Sequence, residues 1–188
     1  PVSKKFSEDY EKEKCKELLN LDKNKKYILV LTGSMGFGNI SEMIKELKKN
    51  IPMCEFIVSC GKNEKVFEEI KDKCKALLFT ENIDLYMRSS EIILTKPGGL
   101  TTTEVATLRK PLIHTMPIPG CENNNANFFE ERKMAIKCNN TEEVINKTKQ
   151  LLNNIQIQNE MIENQKNNID RNTSEKIAKL IIKEIKGV

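Results

Sequence analysis

Two short segments of the 188-residue chain carry residue types suited to holding a charged, hydroxyl-rich ligand. The first, Thr95-Lys96-Pro97-Gly98-Gly99-Leu100-Thr101-Thr102-Thr103-Glu104, follows the apolar run Ile92-Ile93-Leu94. It sets paired glycines and a string of hydroxyls where a buried strand turns into a helix, so that unpaired amides at the helix start can face an anion. The second is Pro117-Ile118-Pro119-Gly120-Cys121-Glu122-Asn123-Asn124-Asn125-Ala126-Asn127-Phe128-Phe129. It places a carboxylate and several carboxamides just beyond the next strand, on the same edge of the sheet, where polyhydroxyl groups could be held. A nucleotide sugar would suit both.

Each of these residues also has a plainer reading. The loop Gly33-Ser34-Met35-Gly36-Phe37-Gly38 orders its glycines G-x-x-G-x-G and lacks the lysine of a P-loop, so a tight strand-to-helix turn explains it equally well, with Phe37 covering the core. A tight turn also accounts for Gly98-Gly99, although four successive polar residues from Thr101 to Glu104 exceed what capping requires. Glu104 in the first turn is favoured by the helix dipole even without a ligand. Lys96 would be electrostatically useful beside a diphosphate, or simply solvated at a strand terminus. His114, the single histidine, is expected to be packed or solvent-facing rather than a catalytic base. Asn123 and Asn124 either contact ligand or shape their loop.

Composition narrows the field. With 38% hydrophobic and 31% charged residues, the chain reads as one soluble globular domain with a sizeable core. The net charge of +4 is spread over lysine- and glutamate-bearing helix faces, which gives no nucleic-acid footprint and leaves room for a weak attraction to anionic lipid surfaces. The six cysteines form no C-x-x-C pair and there is one histidine, so no metal site is expected. Reduced cysteines in apolar strands fit a cytosolic compartment. No apolar run suggests a membrane span or a secretory signal. The start at Pro1 suggests an excised domain or a processed product.

Apolar runs alternate with amphipathic ones along the chain. A helix from about Glu8 to Asn20 precedes strand Tyr27 to Leu31 and a helix from Ile40 to Leu47. Strands Phe56 to Val58, Ala76 to Phe79, Ile92 to Leu94, Leu112 to His114 and Ala135 to Lys137 follow, with helices between them. Asn140-Thr141-Glu142-Glu143 has the form of a capped helix start with a returning glutamate. Continuous apolar strands separated by helices predict an α/β fold, a doubly wound Rossmann-like parallel sheet of about six strands. The expected division is a Rossmann-like domain over residues 1–152 and a helical tail over 153–188 packing on it. The last helix carries Ile177, Leu180, Ile181 and Ile185 along one face, which needs a surface to bury it.

Ser34-Met35-Gly36-Phe37-Gly38, Lys96-Pro97-Gly98-Gly99-Leu100-Thr101, and Pro119-Gly120 with Glu122 and Asn125-Ala126-Asn127-Phe128-Phe129 together resemble the C-terminal half of bacterial diacylglycerol glucosyltransferases and the related monogalactosyldiacylglycerol synthases. The similarity covers about residues 1 to 152 and extends, more distantly, to the N-acetylglucosaminyltransferase of peptidoglycan synthesis. The resemblance implies the second of two Rossmann-like domains of a GT-B enzyme, the one that binds a UDP-sugar. It puts the backbone of Phe79 and Thr80 at the uracil edge, although Phe79 could also pack in the core, and gives Glu104 the ribose hydroxyls. Gly33, Ser34, Gly99, Leu100 and Thr101 match loops around the diphosphate, and Gly36, Lys96 and Gly98 belong to the same loops. Glu122 and Asn125 match positions that contact the hexose, with Gly120 at the start of that segment. Cys121 departs from the glutamine common there, which leaves the choice of sugar open.

The implied reaction is inverting transfer of a hexose from UDP-glucose or UDP-galactose to diacylglycerol or a glycosyl-diacylglycerol. No catalytic residue is expected in this chain, because the family's base lies in the N-terminal domain, which would also receive the lipid acceptor. No cofactor or metal is expected, and the sequence has no Asp-x-Asp pair. The complete enzyme would be cytoplasmic and peripheral on the inner face of the cell membrane. Two alternatives stand beside this: transfer of N-acetylglucosamine to a lipid-linked peptidoglycan precursor, and a non-catalytic UDP-sugar-binding subunit.

Overall fold

The computed structural model describes residues 2–33 and 39–186. Six strands form one parallel sheet: β1 (Lys26–Leu31), β2 (Cys54–Ser59), β3 (Lys75–Leu77), β4 (Ile92–Thr95), β5 (Leu112–Thr115) and β6 (Ile136–Cys138). Their order is β3-β2-β1-β4-β5-β6, so the winding reverses between β1 and β4. Such a reversal opens a crevice at the carboxyl ends of the strands. Register places Ser59, Leu31, Thr95 and His114 in one row along that edge.

Both faces of the sheet are covered. From β1 the residues Tyr27 to Leu31 are all buried, as are the four residues of β4 and of β5, which is why these strands read as unbroken apolar runs. The covering helices are α1 (Lys12–Leu18), α2 (Ile40–Asn50), α3 (Glu64–Ile70), α4 (Ile83–Ser89), α5 (Gly99–Thr107), α6 (Cys121–Glu131), α7 (Thr141–Asn153), α8 (Ile155–Asn168) and α9 (Thr173–Lys186). Asparagine does much of the capping: Asn39, Asn63, Asn140 and Asn154 each accept a hydrogen bond from an amide of the turn they begin. Glu143 completes the predicted returning contact one residue early, accepting from the Asn139 amide at 2.7 Å.

Four boundaries differ from the sequence expectation for local reasons. The first helix is confined to Lys12–Leu18, because Asn20 turns left-handed (φ 51°) and ends it; ahead of it lies a 3-10 turn, Lys4–Phe6. β3 stops at Leu77, whose carbonyl accepts from the Cys60 amide, and Phe79 is 69% exposed beyond it. α6 begins at Cys121 rather than near Asn125, because Gly120 adopts φ 100° and ψ −135°, a conformation open to glycine, and redirects the chain there. The tail divides in two. α8 packs against α5 and α7 and buries Met161 and Gln165. The apolar row of α9 stays in solvent, with Leu180 61% and Ile185 79% exposed. No helix among the described residues is long and apolar enough to cross a membrane.

Candidate functional site

The carboxyl ends of β1, β2 and β4 open into a cavity of about 390 Å³ at the winding reversal. Leu31 and Gly33 line it after β1, and Ser59 and Gly61 after β2. Phe79, Thr80, Ile83 and Met87 form the wall from the β3–α4 connection. Thr95, Lys96, Gly98, Thr101, Glu104 and Glu122 complete it. Eight residues singled out in the sequence thus meet in one space: Gly33, Phe79, Thr80, Lys96, Gly98, Thr101, Glu104 and Glu122.

α5 supplies the anion-facing end. Gly98 is its N-cap with extended backbone, and no side chain caps it among the described residues. The first intrahelical bond runs from the Thr102 amide to the Gly98 carbonyl at 3.0 Å. The amides of Gly99, Leu100 and Thr101 precede that bond and are the donors a helix start leaves for an external acceptor. The string of threonines splits by rotation about the helix. Thr101 lines the cavity, Thr103 Oγ1 donates back to the Gly99 carbonyl at 2.7 Å, and Thr102 Oγ1 lies 3.2 Å from His114 Nε2 in the interior.

Glu104 sits half-buried one turn further along. Burial pushes its carboxyl above the usual range, and the nearby Lys5 ammonium draws it partly back. Across the cavity, Glu122 Oε2 accepts from the Ile118 amide at 3.1 Å, which closes the turn leading into α6. Asn125 does not line the cavity; its Nδ2 donates to the Pro97 carbonyl at 3.0 Å. Gly99, Leu100 and Gly120 also lie outside the lining, Leu100 being 63% exposed. Ser34 and Gly36 lie outside the described residues.

His114 is fully buried in a T-shaped contact with Phe129, ring centroids 5.5 Å apart, and burial pushes its imidazole down to about 3. It is a packed, neutral side chain beneath the start of α5. Asn123 lies in α6 rather than in a loop, and its Oδ1, with that of Asn127, accepts from Lys137 Nζ of β6, each at 2.8 Å. Phe79, at the cavity mouth, is no core residue. Among the described residues no group of three or more His, Cys, Asp or Glu is placed to hold a metal ion. Sequence reasoning missed Gly61, which has φ 58° and follows a strand at the same sheet edge, a signal that was available.

Comparison with known proteins identifies the family and the fold. The processive diacylglycerol beta-glucosyltransferase of Bacillus subtilis (strain 168) is 35% identical over 192 residues, covering 98% of this chain and 50% of that protein. Its counterpart in Bacillus cereus (strain B4264) is 37% identical over 140 residues, covering 70% of this chain and 36% of that protein. The chain therefore spans half or less of the length of these curated relatives. Among solved structures, Acinetobacter baumannii MurG superposes with a TM-score of 0.72 at 22% identity, over 95% of this chain and 55% of that one. An S. aureus MnaA–UDP co-structure gives 0.69 at 17% identity, over 96% and 50%. At these identities the two structures establish the fold, that of a GT-B half. The pattern of the glycosyltransferase family 28 C-terminal domain matches residues 27–184, and the chain belongs to that family of glycosyltransferase domains.

Proposed function

We propose that this chain is the donor-binding domain of an inverting hexosyltransferase that uses UDP-glucose or UDP-galactose to glycosylate diacylglycerol or a glycosyl-diacylglycerol. One observation carries the reading: Gly98 and Thr101 at the start of α5, which no side chain caps among the described residues, share one cavity with the half-buried Glu104 at the winding reversal. The amide end suits a diphosphate and the carboxylate suits a vicinal diol, and one helical turn separates them. The names of the relatives supply the acceptor class.

In this reading the other half of the enzyme holds the lipid and the base that removes its hydroxyl proton. The acceptor oxygen bonds to the anomeric carbon as the bond to the diphosphate oxygen breaks. Charge growing on the departing diphosphate is met by the amides of Gly99, Leu100 and Thr101 and by Lys96 rather than by a metal ion. The complete enzyme works in the cytoplasm, peripherally on the inner face of the membrane where its acceptor resides.

Calorimetry with UDP tests the proposal. The chain is expected to bind UDP, and Glu104→Ala is expected to weaken binding about 10-fold or more, as for a charge-assisted hydrogen bond of ~1.5–3 kcal/mol. Binding that the substitution leaves unchanged would remove the ribose assignment. Competition among UDP-glucose, UDP-galactose and UDP-N-acetylglucosamine identifies the sugar.

A further inference from the structure

Lys137 of β6 extends the row along the carboxyl edge of the sheet: it pairs with His114, which pairs with Thr95 of the cavity lining. From that strand it grips α6 at three places. Its Nζ donates to Asn123 Oδ1 and Asn127 Oδ1, each at 2.8 Å, and its amide donates to Glu130 Oε1 at 3.3 Å. Residues 123, 127 and 130 fall on one stripe of α6, and Glu122 stands about 100° around the helix axis from Asn123. On another side of the helix, Asn125 Nδ2 donates to the Pro97 carbonyl at 3.0 Å. Ala126 and Phe129 seat α6 on the core through apolar packing, which tolerates a small rotation. Directed hydrogen bonds do not.

We infer that Lys137 is a positioning residue for Glu122: by holding Asn123 and Asn127 against β6 it sets the roll of α6 about its axis, and with it the place of the Glu122 carboxylate in the cavity. The inference rests on the donor reading proposed above, with Glu122 at the hexose. Glu122 is covalently next to Asn123, so a turn of the helix moves both together. Its Oε2 is occupied by the Ile118 amide, which leaves Oε1 for a sugar hydroxyl. Lys137 itself lies outside the cavity lining and acts through α6 alone. When its ammonium is removed, Asn125 still ties α6 to the loop assigned to the diphosphate, and the freed roll is felt at the sugar.

The experiment is calorimetry with UDP, UDP-glucose and UDP-galactose on the parent chain, Lys137→Met, Glu122→Gln and the double variant. Lys137→Met is expected to weaken the UDP-hexose that the parent prefers roughly 2- to 10-fold, the span of one hydrogen bond. It should leave UDP within about a factor of two. In the double variant Lys137→Met should add nothing to the loss that Glu122→Gln causes, because both remove the same contact. Asn127→Ala, which takes away one of the two acceptors, repeats the measurement should the methionine variant fold poorly. Equal losses for UDP and UDP-hexose, losses that add in the double variant, or no loss in Lys137→Met while Glu122→Gln weakens the UDP-hexose would each overturn the role of Lys137 and leave the donor site standing. A UDP-hexose affinity that Glu122→Gln leaves unchanged would overturn the hexose role of Glu122 and the inference with it. A parent chain that binds neither UDP nor a UDP-hexose would overturn the donor reading itself.

Discussion

Asn125 on α6 donates through Nδ2 to the Pro97 carbonyl at 3.0 Å, fastening the helix assigned to the sugar onto the loop assigned to the diphosphate. A Cβ built on Gly99 would lie 3.7 Å from the same nitrogen, so a side chain at that position would come into van der Waals contact with α6. Asn125→Ala should therefore weaken UDP itself, by ~2- to 10-fold for the loss of a bond worth about 0.5–1.5 kcal/mol. A residue that only touched the hexose would weaken UDP-glucose and leave UDP unchanged. Parallel titrations with the two ligands separate these roles.

Glu104 should cost the empty protein stability. Its folded pKa is raised by burial, so the group contributes most below the ordinary carboxylate range, and that contribution is lost as pH rises through the folded value. Glu104→Gln is expected to melt higher than the parent at pH 7.5, and the two melting temperatures should converge near pH 4. On the proposed donor role the same substitution is expected to weaken UDP, which would make this a trade of stability for binding.

His114 works in the opposite sense. With a folded pKa of about 3 against an ordinary 6.5, its stabilising neutral state is complete above pH 6.5 and is lost as pH falls toward 3. The slope from this one group approaches ~1.4 kcal/mol per pH unit inside that window. Denaturant melts of His114→Gln should show a shallower acid dependence than the parent, after the common carboxylate background is subtracted.

The two tail helices should respond differently to substitution. Met161 is buried, and its sulfur receives the Leu112 amide at 3.2 Å; Gln165 Nε2 donates to the Lys110 and Met134 carbonyls, each at 2.9 Å. Met161→Ala should destabilise the domain by ~2–5 kcal/mol. Ile177→Ser and Leu180→Ser on the exposed face of α9 should stay within about 0.5 kcal/mol, apart from any small change in helix propensity. Urea unfolding of the three variants measures the contrast.

The fold was legible where one physical signal acted alone. β1, β4 and β5 show as unbroken apolar runs because both faces of the sheet are covered, and Asn140 with Glu143 shows as a cap because the contacts are three or four residues apart. Element ends were less legible, since Asn20 and Gly120 set them through backbone conformations that the sequence only permits. In the site, Glu104 and Thr101 were recognisable, yet nothing distinguishes Thr101 from Thr102 and Thr103 until the helix is wound and its three hydroxyls point to ligand space, interior and backbone. The contact of Lys5 with Glu81 and Asp84 was invisible because it crosses 76 or more residues of chain, a proximity that only the assembled sheet creates.

The cysteines divide sharply by accessibility. Cys15, Cys54, Cys60 and Cys138 are buried and Cys74 is partly so, and burial pushes all five thiols up, away from the reactive thiolate. Cys121 is exposed at the first position of α6, directly before Glu122. A maleimide dye added near neutral pH would consequently attach at this one thiol, giving native protein a fluorescent reporter one residue before Glu122 of the cavity lining.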